Sequence, residues 1–202
     1  MPNVAQKTFL NLGSGARSLL ENLVHEGPFF GWREVRVDLN ADCAPDVVAD
    51  LTDLKGVIAD ASADVVFCSH VLEHFHDHQV DLVLAEVARI LRPDGVAVFK
   101  CPDLAQVVRL LDDEDLEREI YLSPAGPISI LDVLYGHRAS IRAGNQLMAH
   151  HTGFTETSLA RRLLAAGFDE VKTQTSKSVD FCAIATHGFC PHNEQLEQLL
   201  TL

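Results

Sequence analysis

The chain has 202 residues, 47% of them apolar, which suits one α/β domain with a sizeable core. Lys and Arg total 16 against 29 Asp and Glu, and the formal net charge of -13 disfavours nucleic-acid and anionic-membrane partners. No apolar run approaches the roughly 20 residues of a membrane span, no secretory signal opens the chain, and five cysteines without a C-x-x-C pair suit a reducing compartment, so a cytoplasmic protein is expected.

In chain order, Thr8 to Leu12 read as a strand, Gly13 to Gly15 as a tight turn, and a helix follows from Ala16 with Leu19, Leu20, Leu23 and Val24 at helical spacing. "EVRVDLN" is a second strand, "PDVVADL" a short third and "ADVVFCS" a fourth, and their apolar character suits strands covered on both faces. After Asp77 comes a helix with Val80, Val83, Leu84, Val87, Ile90 and Leu91 on one face, stopped by "RPDG". "GVAVFKCP" is a fifth strand, and such alternation implies a parallel sheet with right-handed crossovers.

Residues 103–153 break this rhythm. They are too long for an ordinary connection and are expected to be an inserted lid or substrate segment within a single domain spanning 1–202. Arg138, Arg142, Arg161 and Arg162 fall in this general region and could make a local basic pocket. "TETSLARRLLAAGF" then reads as a helix capped by Thr155 or Thr157, "EVKTQTS" and "VDFCAIAT" as a closing antiparallel pair, and "NEQLEQLL" as a short amphipathic helix.

A strand running into a glycine turn and a helix is a cradle for anions and nucleotides, because glycine allows positive φ and lets a ligand approach the backbone. Here the motif is Gly13-Ser14-Gly15, with Ser18 where a third glycine would stand. Asp38 closes the second strand 25 positions after Gly13, where a carboxylate can accept hydrogen bonds from both ribose hydroxyls. Asp50 and Leu51 follow the third strand and could hold an adenine, with Asp53 as an alternative acid.

"LNLGSGAR", "VDLN", "DVVADLT", "FCSHVLEH" and "ILRPDGVAVF" resemble, in order and spacing, the successive motifs of the class I S-adenosylmethionine-dependent methyltransferases, in particular a small methyltransferase type 11-like branch. "YGHRA", "GNQLMAHHTGF" and "LLAAGF" are similar to that branch as well. The resemblance implies a Rossmann-like, mostly parallel seven-stranded sheet with helices on both faces and an antiparallel C-terminal strand. It implies S-adenosylmethionine as cofactor, S-adenosylhomocysteine as product and a small-molecule substrate, and is compatible with a homodimer. Carried over residue by residue, it places Asn11, Gly13, Ser14 and Gly15 around the amino-acid part of the cofactor. Asp38 and Leu39 fall at the ribose, Asp50 and Leu51 at the adenine, and Cys68, Ser69 and His70 beside the methyl-bearing sulfur. Asn11 departs from the pattern, since many members carry an acid there.

His70-Val71-Leu72-Glu73-His74 also spells H-x-x-E-H, the signature of a zinc hydrolase helix. That chemistry needs both histidines on one helix, whereas Val65, Val66 and Phe67 extend a strand up to Ser69, so no metal site is expected. For methyl transfer to a poor nucleophile, His70 or His74 could supply a general base, while His150, His151 and Tyr135, in the expected lid, could meet an acceptor. A non-catalytic cofactor-binding module is the remaining alternative.

Overall fold

The computed structural model describes residues 6–16, 18–20, 28–111, 115–123, 125–176 and 179–188. Most of the helix expected from Ala16, residues 112–114 of the acidic stretch and the C-terminal amphipathic segment lie outside these.

One sheet organises the molecule. Its strands are β1 (Thr8–Leu12), β2 (Arg33–Asp38), β3 (Val47–Val48), β4 (Ala63–Ser69), β5 (Leu91–Pro102), β8 (Glu170–Thr175) and β9 (Asp180–Thr186). The order across the sheet is β3-β2-β1-β4-β5-β9-β8. β3, β2, β1, β4 and β5 pair in parallel, and β9 runs antiparallel to both β5 and β8. This is the mostly parallel, seven-stranded arrangement expected, including the closing antiparallel pair.

Alternate residues of the strands feed two cores. On one face Leu10, Leu12, Val66, Cys68, Ala97 and Phe99 meet α1 (Asp77–Ile90) through Val80, Val83, Leu84, Val87 and Ile90, and α5 (Glu156–Ala165) through Leu159 and Leu163. On the other, Phe9, Val65, Phe67, Val98 and Ile184 pack with Leu20 and Phe29. Burial on both faces explains the near-continuous apolar strands. The apolar stripe of α1 is as expected up to Ile90; Leu91 instead opens β5, which pairs Ala63 with Leu91, shifts register, and resumes at Val65 and Val96. Thr155, not Thr157, caps α5, its Oγ1 accepting from the Ser158 N–H at 3.2 Å.

Residues 103–153 carry α2 (Leu104–Leu110), a hairpin of β6 (Glu119–Ser123) and β7 (Gly126–Ser129), α3 (Ile130–Tyr135), α4 (Arg138–Arg142) and a 3-10 turn at Gln146–Met148. Val107, Ile128, Ile130 and Val133 give this segment a small core of its own. Two of the arginines considered for a basic pocket are taken up by acids. Arg138 pairs with Asp132 and Glu117, and Arg162 with Asp77 and Asp81.

Candidate functional site

A cleft of about 400 Å³ opens where β1, β2, β3 and β4 end. That is the carboxyl edge of the sheet, where ligands bind in open α/β folds. The register sets its floor. Leu12 lies opposite Val37 on one side and Cys68 on the other, so the residues just after each strand meet.

Gly13 turns the chain out of β1 with φ +64°, and its N–H donates to the Val37 carbonyl at 2.8 Å. A Cβ at this position would stand 2.3 Å from a methyl of Val71, so only glycine fits between the turn and the segment after β4. The carboxylate of Asp38 ties the two halves together: Oδ2 accepts the Gly15 N–H at 2.8 Å and Oδ1 the Asn40 N–H at 2.8 Å. Each oxygen keeps a lone pair for a further donor. Asp50 and Leu51 line the cleft beside Leu39. Asp50 Oδ1 accepts from the N–H and hydroxyl of Thr52, whereas Asp53 turns to the Lys55 N–H and does not line the cleft. Gly13, Ser14, Gly15, Asp38, Asp50 and Leu51 thus line one cleft.

Three expected contacts fall elsewhere. Asn11 is buried and its amide donates to Glu34 Oε1 at 2.9 Å, away from the cleft. Glu34 also accepts the N–H groups of Leu19 and Leu20, so this acid of β2 organises the chain after the glycine turn. Strand alternation reads it as a solvent-facing residue and hides that role. Cys68 points into the core, 1% exposed, and burial pushes its thiol far above the usual range. Ser69 does not line the cleft either. Residues Asn145 to Met148, within "GNQLM", do line it, with Asn40, Cys43 and Phe75; the sequence reading assigned none of these. Their placement depends on Gly136, whose φ is +93° and whose Cβ would stand 1.9 Å from the Met148 carbonyl oxygen.

The H-x-x-E-H stretch forms no α-helix. His70 leaves β4 with φ +54°, and only a 3-10 turn follows, at Leu72–His74. The hydrolase geometry, with both histidines on one helix, is absent from this stretch. Burial opposes a charge on the His70 ring, but the carboxylates of Asp180, 3.7 Å from Nε2, and Glu73, 3.3 Å from Nδ1, outweigh it and push its pKa up to about 9. His70, His74 and His151 line the cleft; Tyr135 does not, but borders a smaller neighbouring cavity with His151.

Residues 10–99 match the model of a methyltransferase domain family, a span that carries the glycine turn, Asp38, Asp50 and the whole H-x-x-E-H stretch. That match covers less than half of the chain. Among solved structures, an S-adenosylmethionine-dependent methyltransferase from Archaeoglobus fulgidus is similar in fold, with a TM-score of 0.57 at 17% identity over 90% of this chain and 86% of that one. The 1,6-didemethyltoxoflavin-N1-methyltransferase of Burkholderia thailandensis gives 0.53 at 19%, over 89% and 70%. Human N-acetylserotonin methyltransferase in complex with S-adenosylmethionine gives 0.57 at 15%, over 90% and 48%. No curated protein sequence matches this chain. Among its described residues no helix is long and apolar enough to cross a membrane.

Proposed function

We propose that the chain is an S-adenosylmethionine-dependent methyltransferase that acts on a small-molecule acceptor presented from the side of the cleft formed by Asn145 to Met148 and His151. The observation that carries the reading is the grip of Asp38 on Gly15, which fixes the glycine turn and an acceptor of ribose hydroxyls as one unit at the sheet edge. Bound S-adenosylmethionine supplies an electrophilic methyl on a cationic sulfur. The chain's part is to position and desolvate the acceptor. Asp38 holds the ribose, Asp50 and Leu51 the adenine, and the Gly13–Gly15 turn the amino-acid portion.

Among the candidate bases, His70 is held as a cation by Asp180 and Glu73 and has no lone pair to offer near neutrality. The His74 ring is tied through Nδ1 to the Ala149 carbonyl at 3.0 Å, which leaves Nε2 as its free nitrogen, and the ring is half-buried. His151 is exposed, lines the cleft and borders both cavities, so it is the base we assign for a hydroxyl acceptor. The small-molecule class is supported by the net charge of -13 and by the Burkholderia relative, solved with 1,6-didemethyltoxoflavin bound.

Calorimetry tests the cofactor site: S-adenosylhomocysteine should bind, and Asp38→Asn should weaken it at least about tenfold, the worth of a charged hydrogen bond. Folded protein that binds neither S-adenosylmethionine nor S-adenosylhomocysteine at millimolar concentration overturns the assignment. Tritiated cofactor incubated with fractionated cell extract should label the low-molecular-weight fraction; label confined to RNA or protein refutes the acceptor class.

A further inference from the structure

Glu73 has no task in the cofactor site, yet it is the most demanding polar group in this region. Its side chain is 2% exposed, and neither carboxylate oxygen accepts a hydrogen bond. His70 Nδ1 approaches Oε1 to 3.3 Å as an ion pair but outside hydrogen-bonding geometry. Beyond that ion pair, a buried carboxylate whose oxygens accept no hydrogen bond still carries a desolvation cost that a further cation can offset.

Two further donors stand beside it. One ligand atom each from Glu73, His74 and His150 lies within 4.8 Å of the others. The two imidazoles meet edge to face, with centroids 4.9 Å apart. Each ring is already oriented by the main chain. His74 Nδ1 is 3.0 Å from the Ala149 carbonyl, and His150 Nδ1 is 2.9 Å from the Val133 carbonyl. A neutral ring donating from Nδ1 keeps its lone pair on Nε2, the arrangement that supports metal-ligating histidines. The two segments are also stitched together, because the Glu73 carbonyl accepts the His151 N–H at 2.8 Å and the Thr152 N–H at 3.3 Å.

We propose that Glu73, His74 and His150 bind a divalent transition-metal ion. The sequence reading, which asks for His70 and His74 on one helix, expects no metal there; this set instead combines the glutamate and second histidine of the motif with His150. Two imidazoles and one carboxylate suit Zn²⁺, Co²⁺ or Fe²⁺ and suit Mg²⁺ or Ca²⁺ poorly. Ligand bonds of about 2.1 Å require the donors to close by roughly an ångström, within the reach of side-chain rotation. Three protein ligands leave a coordination position open. Glu73 and His150 border a cavity of about 230 Å³, where an oxygen or nitrogen donor of a small ligand can fill it.

The test needs no turnover and is independent of the methyl-transfer reading. Tag-free full-length protein, stripped with a chelator and dialysed, is titrated with Co²⁺ followed by visible absorption, and with Zn²⁺ and Mg²⁺ by calorimetry. One tightly bound Co²⁺ with a tetrahedral or five-coordinate spectrum, displaced by Zn²⁺ and unaffected by Mg²⁺, is the expected result. Glu73→Gln and His150→Gln should each weaken Zn²⁺ binding at least roughly tenfold. If Glu73→Gln fails to fold, His150→Gln carries the test, since His150 is only partly buried. The rings of His76 and His78 stack nearby, and His76 also packs on His151. The double variant His76→Gln/His78→Gln should therefore bind the ion unchanged. No binding to the wild type, binding undiminished in His150→Gln, or binding lost in the His76/His78 variant each overturns the proposal.

Discussion

Gly13→Ala is the sharpest probe of how the glycine turn after β1 is built. Two costs add at this position. The residue has φ +64°, where a Cβ costs about 1–2 kcal/mol. The new methyl would also stand 2.3 Å from Val71 Cγ2 and 2.9 Å from Cγ1. Val71 is 7% exposed and has little room to turn away, so overpacking adds about 1–3 kcal/mol. Together the variant should lose about 2–5 kcal/mol. Val71→Ala removes both offending methyls and leaves the φ penalty, so the double variant separates the two costs. Urea unfolding of the four proteins should give a coupling of about 1–3 kcal/mol in the direction of rescue. Calorimetry with S-adenosylhomocysteine should show a loss of tenfold or more for Gly13→Ala alone, since about 1.4 kcal/mol of turn distortion is tenfold in affinity. Wild-type stability and affinity for Gly13→Ala, or strictly additive effects with Val71→Ala, would refute the argued contact.

Two further predictions concern elements that hold the cleft from outside. Glu86 of α1, largely buried, accepts from Arg89 at 2.6 Å and 3.0 Å and from the Leu54 N–H at 2.9 Å, fastening the segment after Leu51 to the helix. The Arg89 guanidinium holds its carboxyl below the usual value near 4.5, against burial, so the stabilisation is complete above that pH and fades as pH falls through the lower folded value. Glu86→Gln should cost about 2 kcal/mol at pH 7, with the difference from wild type shrinking below pH 4.5; a gap that stays constant in urea melts from pH 7 to pH 3 contradicts this. Gly136→Ala should displace Gln146–Met148, lowering Tm and weakening S-adenosylhomocysteine binding together, and unchanged values for both measurements would disprove the packing of α3 against that turn.

How much of this was legible in the sequence depends on the range of each interaction. α1 is written in five apolar residues at helical spacing, and all five are buried. The Gly13 turn and Asp38 could be paired from sequence because neighbouring parallel strands in register bring their carboxyl ends together. Asn11 shows the limit. It stands at the end of a strand, where the family carries an acid, but its amide turns to Glu34, and nothing in "LNLG" reveals that partner. The same holds for Asn145 to Met148, whose contact with the cleft follows from a backbone approach at Gly136 rather than from any local pattern.

The stretch His70 to His74 carries this point furthest. Its spacing suggests a shared helical face, but a strand as apolar as Ala63–Ser69 commits the chain to extended backbone up to Ser69, and a lone 3-10 turn is all that follows. The five residues therefore diverge. His70 turns toward Asp180, Val71 closes against Gly13, Leu72 enters the core, and Glu73 and His74 turn to His150. A motif defined by helical periodicity loses its meaning once the backbone is not helical, and the same residue types become available to partners that only the tertiary fold can supply. His150 lies 76 positions from His74 and is brought there by the Gly136–Ala149 bridge and by the Glu73 carbonyl, both of them backbone features that leave no trace in residue type. Gly136→Ala thus bears on both sites at once: by shifting the turn that precedes Ala149 it should loosen the His74–His150 pair as well as the cofactor cleft, whereas Gly13→Ala should reach the cleft alone.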